Sequence, residues 1–247
     1  MNFVRQVQNW LLTSKIKDPT FKMFGKNKIA KTEIHEGFHL DVQEIFPTFQ
    51  GEGPYVGYPS VFVRLGGCNL ACDFCDTEFD SYQNFSVEKI IAEVLRLAKN
   101  DAGDLVRKLV VITGGEPLRQ PIERLCQELV QRDFLVQIET NGTLFRDLPK
   151  EVKIICSPKI TNEKYHQIRP DLLARLDAFK FIISKTKKNY SQIAELGQSE
   201  FKTPVYLQPM DEYDEAKNQE NLHHALELAA KFGHRVSLQI HKILKIR

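Results

Sequence analysis

The sequence predicts an α/β fold built on a parallel sheet, and three observations carry that expectation. Short runs rich in β-branched and aromatic residues recur at 60–65, 109–113, 134–140, 178–183 and 205–208. Segments with apolar residues at helical spacing alternate with them, most clearly over 87–98 and 122–130. A glycine pair follows one of these runs and leads straight into a cysteine-rich loop, the kind of ligand position that α/β proteins keep at strand C-terminal ends. Repeated strand–helix units form a closed or partly closed barrel, or spread as an open doubly wound sheet, and periodicity leaves both open.

Residues 1–37 stand apart from an expected core domain over 38–247. Residues 1–32 carry seven basic residues (Arg5, Lys15, Lys17, Lys22, Lys26, Lys28, Lys31) against one acid, Asp18. Phe3, Val4, Val7, Trp10 and Leu11 share one helical face, which predicts a short helix ending before Pro19 and docked on the domain, with a basic solvated linker after it. A partner- or RNA-binding role for this segment stays open. The alternation over 39–46 predicts a strand, and Pro47 begins a loop ending in Gly51-Glu52-Gly53-Pro54. Glycine there allows a close approach to a ligand.

Ser60–Leu65 is the strand that feeds the cysteine loop. Val87, Ile90, Ile91, Val94, Leu95 and Ala98 then define a helix capped by Ser86, and Leu109–Thr113 a buried strand. Ile122, Leu125, Cys126, Leu129 and Val130 make the next helix, before strands at Phe134–Thr140 and Val152–Cys156. Cys126 and Cys156 are therefore expected in the core. Three further strands are predicted at Ala178–Ile183, Val205–Gln208 and Val236–Ile240. Ser184–Tyr190 reads as a solvated lysine-rich loop, and a helix over Leu222–Phe232 stops at Gly233.

Composition narrows the function classes. The 247 residues, 42% of them hydrophobic, suit one large domain, and a net charge of +2 gives no bulk signature of nucleic-acid binding. No apolar run approaches the roughly 18–20 residues that span a bilayer, and the start lacks a signal-peptide core. A cytoplasmic protein without membrane attachment is expected. Clustered thiols without a disulfide framework agree with a reducing compartment.

The chemistry is concentrated in Gly66-Gly67-Cys68-Asn69-Leu70-Ala71-Cys72-Asp73-Phe74-Cys75-Asp76-Thr77. Three thiols on one loop can share a metal centre, whereas zinc and iron–sulfur sites usually use four protein ligands. One coordination position is left open, which points to a reactive centre. The alternative is a non-catalytic structural zinc or iron–sulfur module completed from a distance. Thr113-Gly114-Gly115-Glu116-Pro117, directly after a buried strand, offers backbone N–H and C=O groups to an amino-acid-like ligand, or is simply a tight turn. Arg64, late in its strand, suits a carboxylate. Glu139 points toward the sheet's ligand end and suits a guanine-like N–H edge.

Cys-x3-Cys-x2-Cys resembles the signature of the radical S-adenosylmethionine enzymes. Gln50-Gly51-Glu52-Gly53, Arg64, Thr113-Gly114-Gly115-Glu116-Pro117, Glu139-Thr140-Asn141-Gly142, Ser157-Pro158-Lys159, Gln208-Pro209-Met210-Asp211 and Gln239-Ile240-His241-Lys242 narrow the likeness to the 7-carboxy-7-deazaguanine synthase family, from about Leu40 onward. The resemblance implies a partial (βα)6 barrel. It implies a 4Fe–4S cluster on Cys68, Cys72 and Cys75, with S-adenosylmethionine held by Gly115, Ser157, Pro158, Lys159, Gln208, Pro209, Met210 and Asp211. Substrate contacts fall to Phe49, Gln50, Gly51, Glu52, Arg64, Thr113, Glu139, His241 and the terminal carboxylate of Arg247, where proline is expected. Thr77 would ligate Mg2+. The implied reaction is ring contraction of 6-carboxy-5,6,7,8-tetrahydropterin with loss of ammonia, on the route to queuosine-type nucleosides. A flavodoxin- or ferredoxin-type electron donor and a homodimer are implied as well. Glycyl-radical-activating enzymes share the cysteine spacing, but Gln50–Gly53, Arg64 and the His241-Lys242 ending argue against them.

Overall fold

The structure, a computed structural model, describes residues 27–246. The helix expected over 3–11 and the terminal Arg247 lie outside the described residues. A nine-stranded sheet holds the domain together, in the order β11-β10-β9-β6-β5-β4-β2-β1-β3. Its strands are β1 (His39–Phe49), β2 (Pro59–Leu65), β3 (Gln83–Ser86), β4 (Leu109–Gly114), β5 (Leu135–Thr140), β6 (Lys153–Cys156), β9 (Ala178–Ile183), β10 (Val205–Pro209) and β11 (Arg235–Val236). A small hairpin, β7 (Ile160–Thr161) with β8 (Lys164–Tyr165), stands apart.

From β2 to β11 every neighbouring pair is parallel, and the order follows the sequence. Each crossover therefore steps the same way. Right-handed crossovers repeated in one direction put their connections on one face. The other face curls inward, giving the partial barrel. A doubly wound sheet would reverse direction at a switch point, and this order does not.

The period-two alternation of strands divides each one between the two faces. Val110 and Ile112, Val136 and Ile138, Phe179, Phe181 and Ile183, and Val205 and Leu207 share the main core with helices α1 (Val87–Ala98) and α2 (Glu123–Val130). The intervening residues face the barrel interior. There Ile155, Ala178 and Tyr206 form a small second cluster, and Thr113, Glu139, Lys180 and Gln208 line a cavity. Ser86 caps α1 by accepting from the Lys89 N–H at 3.2 Å.

Five expectations change. Pro47 does not begin a loop: β1 runs through it to Phe49, with Pro47 opposite Val61. Val236–Ile240 is a strand only over Arg235–Val236; Gln239 turns the chain, and Ile240–Leu244 is a short helix. Its start is held by the Ile240 N–H bonded to the Gly51 carbonyl. The Ser184–Tyr190 loop is exposed only in its middle, because Ser184 is buried against Glu212 and the Tyr190 hydroxyl accepts from the Ile160 N–H. The helix ending at Gly233 is longer than its apolar pattern, running Glu215–Phe232, with Asp214 as its cap. Residues 27–33, within the expected basic linker, run beside the cysteine loop: the Ala30 N–H donates to the Cys68 carbonyl at 2.7 Å.

Candidate functional site

The cysteine loop leaves β2 through Gly66 and Gly67, and Gly67 takes a positive φ of 73°. The Gly66 carbonyl accepts from Arg119 Nη2 and Gln120 Nε2, both at 3.1 Å. Arg119 is buried and also bonds the Lys31 carbonyl and Glu33. Farther along, the Cys75 N–H donates to the Cys72 carbonyl at 3.1 Å, and Phe74 packs edge-on against Tyr190. The Asn27 amide donates to the Thr77 carbonyl and approaches Cys75 Sγ at 3.8 Å. These contacts fix the loop so that Cys68, Cys72 and Cys75 all line one cavity.

The donor set fits an iron–sulfur cluster. No three His, Cys, Asp or Glu side chains among the described residues converge on a single-ion site. A tetrahedral zinc with Zn–S bonds of about 2.3 Å needs that convergence, whereas a four-iron cluster puts each thiolate on its own iron. Burial raises all three thiol pKa values, that of Cys68 to about 12. Metal binding at these positions must therefore displace protons. Cys126 and Cys156 are fully buried in the core, as expected.

The Gly114-Gly115 turn works differently from the expectation. The Gly115 N–H donates to the Leu65 carbonyl at 3.1 Å and the Glu116 N–H to the Gly67 carbonyl at 3.0 Å, so neither is offered to a ligand. A Cβ on Gly115 would lie 1.9 Å from the Gly67 carbonyl oxygen. Glycine is required because two backbones touch. Glu116 is buried and accepts from the Leu118 N–H, the Thr140 hydroxyl and the Asn141 N–H at 3.0, 2.7 and 2.7 Å. Burial raises its pKa despite these donors. The Asn141 amide donates to Asn69 at 2.9 Å, tying the end of β5 to the cysteine loop.

Across the cavity, Lys180 bridges two acids. It pairs with Glu52 and lies 2.9 Å from Glu139 Oε2. Burial alone would raise the Glu52 pKa, but Lys180, His241 and Gln239 together outweigh it and hold the value at about 2. For Glu139 burial dominates over Lys180 and the pKa rises. The folded value for Glu52 lies below its ordinary 4.5, so its charge stabilises the fold above that pH, and the contribution is lost as pH falls toward about 2. Glu52→Gln is therefore expected to cost on the order of 3 kcal/mol near neutrality. Denaturant titrations should show the gap to wild type closing between about pH 4.5 and 2, and a pH-independent gap would contradict the assignment.

Comparison with known proteins decides the family. The sequence model of the Radical SAM superfamily matches residues 62–186. The 7-carboxy-7-deazaguanine synthase of Rickettsia prowazekii (strain Madrid E) is 53% identical over 227 residues, covering 92% of this chain and 97% of that protein. The chain belongs to the 7-carboxy-7-deazaguanine synthase family of radical SAM enzymes. The Rhodospirillum rubrum synthase is 39% identical over 91% of this chain and all of its own length. The crystal structure of QueE from Escherichia coli superposes with a TM-score of 0.68 at 26% identity, covering 81% of this chain and 94% of that one.

Within this synthase-family fold, most of the residues singled out by sequence reach the same cavity. Glu52, Thr77, Thr113, Gly115, Glu139, Ser157, Lys159 and Gln208–Asp211 line it together with the three cysteines. Gln208 Oε1 is buried there with no partner among the described residues, an acceptor left for a ligand. Lys159 folds back onto the Ser157 hydroxyl at 2.6 Å, and Pro158 is buried behind it.

Others sit behind the wall. Arg64 donates to Glu44 at 2.9 Å and to the Thr77 hydroxyl at 3.3 Å. His241 packs over Gly51, whose Cβ would fall 2.2 Å from the imidazole Nδ1, and burial lowers its pKa. The buried Gln50 accepts from the Glu52 N–H, and Phe49 is partly exposed at the end of β1.

Lys180 and Arg119 escaped the sequence reading, and Gln239 and Lys242 entered it only as part of a motif, without a role. Lys180 had a signal, a lone lysine between Phe179 and Phe181 in an apolar strand. Gln239 Nε2, 2.7 Å from Glu52 Oε1, and Lys242, 2.8 Å from Asp211 and 3.7 Å from Asp76, close the cavity from the C-terminal helix. Arg119 gave no local sign, since its partners, two backbone carbonyls and Glu33, lie far away in sequence. No helix among the described residues is long and apolar enough to cross a membrane.

Proposed function

We propose that this chain catalyses the S-adenosylmethionine-dependent ring contraction of 6-carboxy-5,6,7,8-tetrahydropterin to 7-carboxy-7-deazaguanine with loss of ammonia. The observation that carries this reading is one cavity with three thiols on one wall and the Glu52–Lys180–Glu139 row on another, in a chain 53% identical to a named synthase. Cys68, Cys72 and Cys75 hold the 4Fe–4S cluster, which together with S-adenosylmethionine supplies one-electron reductive cleavage chemistry at the cavity.

The chain's residues bind and orient. Ser157, Lys159, Gln208 and Asp211 hold the polar groups of S-adenosylmethionine, with Pro158, Pro209 and Met210 shaping the wall and Gly115 admitting it beside the cysteine loop. Glu139 accepts N–H groups of the substrate, and Thr113 and Glu52 face it. Gln50, Gly51, Phe49 and His241 support that face. Thr77 and Arg64 serve the substrate carboxylate, Thr77 through Mg2+ and Arg64 through its guanidinium. The Gln239–Lys242 turn shields the reacting atoms from water. A flavodoxin- or ferredoxin-type donor, a homodimer and a cytoplasmic setting complete the reading.

The test is anaerobic incubation of cluster-reconstituted protein with reductant, S-adenosylmethionine, Mg2+ and the tetrahydropterin, with products followed by mass spectrometry. The expected product is 7-carboxy-7-deazaguanine. If 5′-deoxyadenosine forms alone, the substrate assignment fails; if neither forms on a full cluster, the catalytic reading fails.

A further inference from the structure

Lys180 carries a donor that the protein leaves unused. An ammonium has three N–H groups. One goes to Glu52 and one to Glu139, and no third partner stands among the described residues. The side chain is only 7% exposed, and it lies on the cavity wall. A lysine so deeply buried needs its donors satisfied.

The neighbouring acids are arranged to suit a ligand at the same point. Glu52 Oε1 is tied back by Gln239 Nε2 at 2.7 Å, and Glu139 Oε1 by Gln137 Nε2 at 2.6 Å. Their Oε2 atoms converge on Lys180. The row presents acceptor, donor, acceptor. A ligand carboxylate is a poor match, because it would meet two other carboxylates. A neutral carbonyl flanked by N–H groups is the complement, its oxygen on the ammonium and its N–H groups on the acid.

We propose that Lys180 touches the substrate directly, donating its third N–H to the lactam carbonyl oxygen of the pterin ring while Glu139 takes the adjacent N–H groups. The inference rests on the pterin reading above. Lys180 then sets specificity for a strong hydrogen-bond acceptor at that ring position and turns the substrate carboxylate away from Glu52 and Glu139.

The test measures binding by calorimetry on cluster-loaded enzyme with S-adenosylmethionine but no reductant. The probes are 6-carboxy-5,6,7,8-tetrahydropterin and its 4-thioxo analogue, which keeps the ring N–H groups assigned to Glu139 and replaces only the oxygen on the ammonium by sulfur, a weak acceptor. Wild type is expected to prefer the oxo compound by about 10- to 100-fold, the usual effect of a hydrogen bond to a charged group. Lys180→Met should bring the two within about threefold of each other. The double variant Glu52→Gln/Lys180→Met, which avoids two facing carboxylates, repeats the comparison if the single variant does not fold.

Retention of the oxo preference in whichever variant folds would show a purely charge-balancing lysine and overturn the proposal. Wild type that converts the tetrahydropterin yet shows no oxo preference overturns the Lys180 contact alone. Wild type that neither binds nor converts it overturns the pterin reading as well.

Discussion

Cys72→Ala is expected to abolish reductive cleavage of S-adenosylmethionine, a fall of at least ~10³-fold, or about 4 kcal/mol of barrier, while the fold survives. The two outcomes separate because of where Cys72 sits. Its thiol lines the cavity, but its structural bond is made by the backbone carbonyl, which accepts from the Cys75 N–H and is kept by alanine. Iron per chain should drop after reconstitution, and the metal-free variant should unfold within about 0.5 kcal/mol of the metal-free wild type. Cys126→Ala should do the reverse. That thiol is fully buried in the core, so its loss costs about 1 kcal/mol and leaves the iron content unchanged. Normal cleavage by the Cys72 variant would overturn the cluster assignment.

The sequence was most informative where the physics is local. The Ser86 cap, the apolar face of 87–98 and the strand at Ala178–Ile183 depend on neighbours a few residues away, and they appear in the structure at the expected places. The partial barrel needed more. Periodicity cannot say whether successive crossovers step the same way, so the choice between barrel and doubly wound sheet waited for strand order or for family likeness.

The cavity divides similarly. Three cysteines within eight residues announce themselves, whereas Lys180 is meaningful only once the turn before β2 brings Glu52 and the end of β5 brings Glu139 to its side. Val236–Ile240 failed as a strand because its apolar residues continue while its bonding to β10 ends with the Ser237 N–H on the Leu207 carbonyl: Gly51, reached through a distant loop, captures the Ile240 N–H.

Gly115→Ala should be strongly damaging for the addition of one methyl. The added carbon would lie 1.9 Å from the Gly67 carbonyl oxygen, 2.4 Å from its carbon and 2.9 Å from the Cys68 nitrogen. These are backbone atoms, so no side chain can rotate away. Either the end of β4 or the start of the cysteine loop must move, and the paired bonds from the Gly115 and Glu116 N–H groups would break. Overpacking and two lost bonds together predict a loss of about 2–4 kcal/mol. Because the displaced segment begins at Cys68, iron incorporation should fall with stability. A glycine that serves only to contact S-adenosylmethionine predicts something else, normal stability and iron with weakened cofactor binding. Gly103→Ala supplies the comparison. That glycine, unlike Gly115, has a positive φ, 87°, but a Cβ there meets nothing within 4 Å, so its cost is the backbone strain of about 1 kcal/mol with no effect on iron. Equal behaviour of the two variants would mean that the contact between β4 and the cysteine loop does not fix glycine at 115.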